Sequence, residues 1–214
     1  MKSFVITIFD LPQSVEYAKR CINSGKSLNI DIKMFDAITP RKNPRSICLE
    51  KGISIDGFNT PYSRMDNAIS CFLSHFSLWE KCANENEEYT IFEHDAIIVN
   101  NIPDFIAYDD CISLGKPSYG KWNDPIRLGI NRLTSKKYFP GAHAYRLKPH
   151  FAKKLIEQAK IKAIPADIFL NLQTFPTLQE YYPWPCEVDD NFTTIQKTEG
   201  CIAKHGYNNE YKIL

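Results

Sequence analysis

The chain predicts an α/β fold, and three stretches carry that prediction. Residues 3–8 form an apolar run without polar alternation, the pattern of a strand covered on both faces. Residues 66–83 put Ile69, Phe72, Leu73, Phe76, Trp79, Cys82 and Ala83 on one broad helical face. Residues 89–99, YTIFEHDAIIV, form another apolar run, interrupted only by Glu93, His94 and Asp95. Strands and helices that alternate in this way bury their apolar faces against one another, and 214 residues suit a single domain spanning 1–214.

The first strand meets a breaker at Phe9-Asp10-Leu11-Pro12, after which Ser14 is placed to cap a helix through Val15, Ala18, Cys21 and Ile22 to Gly25. Residues 30–35 follow as a second strand, so the chain opens β-α-β, a right-handed crossover that favours a parallel pair. Residues 41–62 are broken by Pro44, Gly52, Gly57 and Pro61 and predict a surface excursion or a short helix near 47–51. The long helix then feeds the run at 89–99. Beyond it the sequence predicts a short helix at 103–108, a strand at 125–129, an exposed loop at 131–140 and a strand at 142–147. A helix from Pro149, a second helix at 168–172, and an aromatic tail at 181–214 wrapping over the sheet complete the expectation.

Composition narrows the function classes. The formal net charge is +1, and nucleic acid or an anionic membrane would usually go with an overall basic excess, so the composition suggests neither. Seven scattered cysteines without a Cys-x-x-Cys pair read as reduced core thiols of a cytoplasm-like compartment. Asp10 and Pro12 cut the N-terminal apolar run short of a signal peptide or membrane span.

The chemistry concentrates at Glu93 and Asp95. Alternate residues of an extended chain share a face, so the two carboxylates would point the same way and share a hard cation through oxygen ligands; solvated charges at a strand end are the competing reading. At the end of the first strand, Thr7, Ile8 and Asp10 lie where an open α/β sheet receives a nucleotide. No Gly-x-Gly-x-x-Gly follows, which disfavours a dinucleotide. Asp36, at the end of the second strand, is a further candidate nucleotide contact, with a turn cap as its alternative role.

The stretch Ser70-Cys71-Phe72-Leu73-Ser74-His75-Phe76-Ser77-Leu78-Trp79, followed by Ile91-Phe92-Glu93-His94-Asp95, resembles the hallmark of glycosyltransferase family 25. That family includes bacterial lipooligosaccharide galactosyltransferases and collagen galactosyltransferases. Phe35-Asp36-Ala37, the WNDPIRLG stretch at 122–129, Gly141-Ala142-His143-Ala144-Tyr145 and Ile164-Pro165-Ala166-Asp167 are further similar pieces in the same order. Where the family has an acidic middle residue, this chain has His94, which removes one negative charge from the cluster.

The resemblance implies a GT-A type, Rossmann-like nucleotide-sugar transferase fold with a mixed central sheet, its nucleotide-binding half at about 1–100 and its acceptor half at about 101–214. It implies a UDP-sugar donor, Mn2+ or Mg2+ as cofactor, and a glycan or glycoprotein acceptor. On that basis Asp95 is the expected direct metal ligand. Glu93 would reach the metal, directly or through water, or the ribose. In Lys204-His205-Gly206-Tyr207, His205 is a candidate third ligand and Lys204 a candidate phosphate contact, a surface histidine being the plainer reading of the former. Asp167 is the candidate base for the acceptor hydroxyl, although an aspartate after proline also serves as a first-turn charge. Ser74 and His75 are candidate donor contacts, with a hydrogen-bonded core histidine as the alternative for His75. Asp189-Asp190 reads as solvated or as an acceptor contact, and Tyr181, Tyr182 and Trp184 as sugar platforms or as packing.

Two functions remain to be separated: an inverting hexosyltransferase moving galactose or glucose, or a transferase-like module that binds sugar or nucleotide without turnover. A metal hydrolase is disfavoured, since neither His-x-x-x-His nor a two-metal carboxylate array is present.

Overall fold

The structure, a computed structural model, describes residues 1–61, 63–104, 106–188, 192–197 and 212–213. Its centre is a mixed seven-stranded sheet flanked by helices, in agreement with the α/β, Rossmann-like expectation. The strands are β1 (Lys2–Thr7), β2 (Ile32–Asp36), β3 (Tyr89–Glu93), β5 (Cys111–Ser113), β6 (Gly129–Arg132), β7 (Ala144–Leu147) and β8 (Gln179–Tyr182), in the order β2-β1-β3-β7-β5-β8-β6. β1 runs parallel to both β2 and β3, β7 is antiparallel to β3 and β5, and β8 is parallel to β5. β4 (Ala96–Ile98) pairs antiparallel with β9 (Cys186–Val188), and β10 (Phe192–Thr193) pairs with β11 (Lys212–Ile213), each outside the main sheet.

The helices are α1 (Pro12–Lys26), α2 (Pro44–Lys51), α3 (Met65–Glu85), α4 (Pro149–Ile161) and the single turn α5 (Ala166–Phe169). Strand alternation divides the core. Phe4, Ile6, Tyr89 and Ile91 face α3 and α4, where Phe72, Trp79, Phe151 and Leu155 are buried. Val5 and Phe92 face the other way, onto Ala18 and Cys21 of α1 and Ile98 of β4. Helix α3 ends at Asn86, whose left-handed backbone (φ 50°) returns an N–H to the Cys82 carbonyl. That turn delivers the chain directly into β3.

Several expectations need correction. Residues 89–99 are two strands: Glu93 ends β3, His94 and Asp95 form a turn, and Ala96 starts β4, which leaves the main sheet to pair with β9. The two carboxylates therefore do not share a face through strand alternation. Helix α1 starts at Pro12, so Ser14 sits inside it; its Oγ instead accepts the Ile8 N–H (2.9 Å) and bonds His94 Nδ1 (3.1 Å). The described residues of 103–108 carry no helix, and the Pro103 carbonyl accepts from the buried Arg146 guanidinium (3.2 Å). The expected strand at 125–129 begins only at Gly129. The helix expected at 168–172 is a turn two residues earlier. The 131–140 loop is not wholly exposed: Leu133, Ser135 and Phe139 are buried. Buried Glu180 explains this, since its Oε1 accepts the N–H groups of Thr134 (2.6 Å) and Ser135 (2.8 Å). The tail does more than wrap over the sheet, because β8 inserts between β5 and β6. Among the described residues no helix is long and apolar enough to cross a membrane.

Candidate active site

A cavity of about 620 Å3 lies at the C-terminal ends of β1 and β3. Ile6, Ile8 and Asp10 line it from the first strand, and Glu93, His94 and Asp95 from the turn after β3. Ser70, Cys71, Ser74 and His75 of α3 add a second wall. Tyr119, His143 and Asp167 close the far side. Seven sequence-predicted residues, Ile8, Asp10, Ser74, His75, Glu93, Asp95 and Asp167, thus reach one space although they are up to 159 positions apart. Thr7 and Asp36 are not among the lining residues. Thr7 is buried and turns its hydroxyl back to the Val5 carbonyl, and Asp36 pairs with Lys42 at 2.6 Å. Lys204, His205 and the Asp189-Asp190 pair lie outside the described residues.

Glu93 is held by a buried relay. Trp79 Nε1–H donates to the Tyr145 hydroxyl (2.9 Å), and Tyr145 Oη lies 2.8 Å from His75 Nδ1. His75 Nε2 lies 2.9 Å from Glu93 Oε1. One tautomer lets every group act in turn. Tyr145 accepts from Trp79 and donates to Nδ1, which leaves the Nε2 proton for the carboxylate. Burial pushes the His75 imidazole down to about 4, so it is neutral at neutral pH and serves as a dipolar link rather than a countercharge. The stacked rings of His75 and Tyr145, 5.7 Å between centroids, fix the geometry. Of the two sequence readings for His75, the structure gives a hydrogen-bonded core histidine that also touches the site.

Cys71, His75 and Glu93 bring ligand atoms within 4.8 Å of one another. Burial, with Glu93 nearby, holds the Cys71 thiol well above its usual range, and the His75 Nε2 proton is given to Glu93. A protonated thiol and a protonated ring nitrogen are poor ligands, so this trio is a hydrogen-bonded cluster. The oxygen donors on the same wall, Glu93 and Asp95, are the better match for a hard divalent cation.

His94, where an acid was expected, points at structure. Its ring stacks on Phe192 (5.4 Å, 11° between planes) and bonds Ser14, which in turn holds the end of the first strand at Ile8. The Arg20 guanidinium covers the Tyr17 ring at 4.1 Å and approaches the Asp95 carbonyl at 3.5 Å. Ser74 ties α3 to the 37–41 loop: its Oγ accepts the Ile38 N–H (2.9 Å) and donates to the Ser70 carbonyl (2.8 Å). Asp10 meets Arg41 at 2.7 Å on the rim, a pair exposed enough to contribute little stability.

Asp167 opens α5 and is half-buried in the cavity wall. The Tyr119 hydroxyl donates to its Oδ2. Burial raises its carboxyl above the ordinary aspartate value, while Tyr119 and the backbone N–H groups of Asp167, Ile168 and Gly141 pull it back. Lys136 covers the Tyr119 ring at 4.9 Å and donates to the Tyr119 carbonyl. Next to this group His143 packs flat over Gly115, where a Cβ would come within 2.4 Å of Nε2.

Sequence reasoning missed Tyr119, Tyr145 and Ser14 as parts of the site. Only Tyr145 carried a signal, as the last residue of the Gly141 to Tyr145 piece. Trp184 is no sugar platform: it is buried, with Nε1 on Glu180 Oε2 (3.2 Å).

The family model described as Glycosyltransferase family 25 (LPS biosynthesis protein) matches residues 2–125, more than half of the 214. The chain is 28% identical over 157 residues to the Lipooligosaccharide biosynthesis protein lic2B of Haemophilus influenzae, covering 72% of this chain and 53% of that one. It is 27% identical over 184 residues to an Inactive glycosyltransferase 25 family member 3 of Mus musculus, covering 78% of this chain and 31% of the relative. To Procollagen galactosyltransferase 1-B of Xenopus laevis it is 23% identical over 197 residues, 83% of this chain and 31% of the relative. The chain spans about half the length of the first of these relatives and about a third of the animal ones. With the matched region running from the first strand through α3 and the Glu93–Asp95 turn, the chain belongs to glycosyltransferase family 25.

Proposed function

We propose that the chain is a metal-dependent hexosyltransferase that moves galactose or glucose from a UDP-sugar to a saccharide or glycoprotein acceptor, with inversion at the anomeric carbon. The observation that carries the reading is the convergence of Glu93, Asp95 and Asp167 on one cavity whose other wall is the end of the first strand. Asp95 and Glu93 would hold Mn2+ or Mg2+. A divalent cation bound there supplies positive charge against the diphosphate that leaves with the broken sugar–phosphate bond. Ile8 and the backbone beside it offer the nucleotide a largely apolar wall. The relay through His75 keeps Glu93 in one rotamer, so its orientation costs no reorganisation during turnover.

Asp167 takes the proton of the acceptor hydroxyl as that oxygen attacks the anomeric carbon. A positioned base typically contributes 10²–10⁴-fold, about 3–5 kcal/mol of barrier. Its raised pKa increases its strength as a base while Tyr119 keeps it ionisable.

UDP together with Mn2+ is expected to raise the melting temperature more than the two separate shifts combined. Asp95→Asn removes that synergy, and Asp167→Asn keeps it while losing transfer. Absence of any metal-linked shift would sink the reading.

A second reading, a sugar- or nucleotide-binding module without turnover, is favoured by His94, whose contacts to Ser14 and Phe192 are structural, and by an inactive relative. Release of free UDP from UDP-galactose or UDP-glucose in Mn2+ separates the two, since a pure binder releases none.

A further inference from the structure

We propose that the loop at 121–132 is a docking surface for an anionic lipid bilayer. Ile126 is 100% exposed and Leu128 78%, and Trp122 beside them is 38% exposed. Large apolar side chains in such positions ordinarily fold inward, and here the loop is built so that they do not. Asn131 Nδ2 donates to the carbonyls of Arg127 (2.7 Å) and Gly129 (3.0 Å), and the Asn123 N–H donates to the Ser135 carbonyl (3.2 Å). Pro125 is buried as an anchor, and Gly129 turns the chain at φ 84°, a conformation that suits glycine. The presented tip is therefore a held platform.

Its charge decides the partner. Lys121, Arg127 and Arg132 stand against the single acid Asp124, a local excess of two positive charges in a chain whose net charge is only +1. All four are exposed, and Arg127, Arg132 and Ile126 line a shared groove of about 520 Å3. Apolar tips interleaved with cations are the composition that inserts at a headgroup boundary, with the indole at the interface and the cations on lipid phosphates. A nucleic acid would gain nothing from Ile126 and Leu128, and a neutral protein surface nothing from the three cations. Among the described residues no helix is long and apolar enough to cross a membrane. The segment leaves the cavity wall at Tyr119 and returns to it at Tyr138, which sets a bound bilayer beside the wall that carries Asp167.

The test uses the full chain with vesicles of phosphatidylcholine alone and of phosphatidylcholine with phosphatidylglycerol. Cosedimentation is expected only with the anionic vesicles and is lost in high salt. Each of Arg127→Ala and Arg132→Ala weakens binding about fivefold. Trp79 and Trp184 are buried, so a blue shift of fluorescence on vesicle addition reports Trp122 and disappears in Trp122→Phe. Ile126→Asp with Leu128→Asp abolishes sedimentation while leaving the melting temperature and UDP release from donor unchanged. The proposal is overturned by failure to bind, by equal binding to neutral vesicles, or by retained binding in the double variant. It is likewise overturned if the double variant instead dissolves a dimer, or if UDP-galactose with Mn2+ shifts the Trp122 emission without vesicles, which would make the loop a lid. The sedimentation outcomes stand apart from the transferase reading, since they depend neither on which sugar is transferred nor on Asp167 being the base.

Discussion

The Tyr119 hydroxyl donates a hydrogen bond to Oδ2 of Asp167 across 48 positions of sequence. That bond favours the charged carboxylate, while burial opposes it and leaves the group above its ordinary value. Tyr119→Phe removes the favouring part and raises the Asp167 pKa further. The acid limb of the rate–pH profile then moves to higher pH. The rate falls several-fold below the limb and little above it, whereas Asp167→Asn lowers the rate above the limb about 10²–10⁴-fold. A flat ratio of variant to parent rates across pH would show that Tyr119 does not tune the base.

The relay behind Glu93 predicts an ordered set of stabilities. Tyr145→Phe leaves Trp79 Nε1–H and His75 Nδ1 without their shared hydroxyl and is expected to cost about 1–3 kcal/mol in urea unfolding. Glu93→Gln keeps an oxygen for the His75 Nε2 proton and should cost less than His75→Ala, which also opens a cavity in the core. Yet Glu93→Gln should lose most of the Mn2+-linked UDP stabilisation. Equal destabilisation by the two variants would show that the His75–Glu93 hydrogen bond, and not the packing of the imidazole, carries the contribution of His75.

Two glycines are predicted to be intolerant of a methyl group. A Cβ on Gly57 would lie 2.1 Å from the Ala163 carbonyl oxygen, a backbone atom that cannot swing aside, so Gly57→Ala should cost about 2–3 kcal/mol and roughly 4–12 °C in thermal melting. At Gly115 the clash is with the His143 ring, so Gly115→Ala should displace a cavity wall. Loss of UDP-sugar turnover larger than the loss of stability is the expected signature.

Asp110 predicts acid sensitivity remote from the cavity. Burial raises its carboxyl, but the Thr177 hydroxyl, His150 and Lys154 outweigh that and set it below its ordinary value. A depressed folded pKa stabilises the protein above the unfolded value near about 3.9 and loses that contribution as pH falls through the folded value. Asp110→Asn should therefore cost about 1–3 kcal/mol near neutral pH and progressively less below about pH 4, measured by denaturant midpoints.

The periodicity of α3 and the unbroken apolar run of β1 were legible because burial acts directly on local pattern: Ile69, Phe72, Leu73, Phe76, Trp79 and Cys82 of the expected face are buried in the core, with Ala83 half-buried against it and Leu78 buried although not expected. The acid-bearing turn was legible as chemistry and misread as geometry. An apolar run of eleven residues looks the same whether it stays in one sheet or changes partners at Asp95, and the partner, β9, lies some ninety residues away. The buried carboxylate of Glu180 was invisible for a similar reason, since only its distant acceptance of Thr134 and Ser135 draws the 131–140 loop inward.

The sequence by itself determined the α/β class, the family, and which acids deserve suspicion, because residue type, spacing and order are properties of the chain. Only the tertiary structure decided that Glu93 hangs on a relay from Trp79, that Asp167 meets Tyr119, and that His94 braces Ser14 and Phe192. Hydrogen bonds of a few ångströms between groups tens of residues apart exist only once the sheet order and helix packing have brought them together.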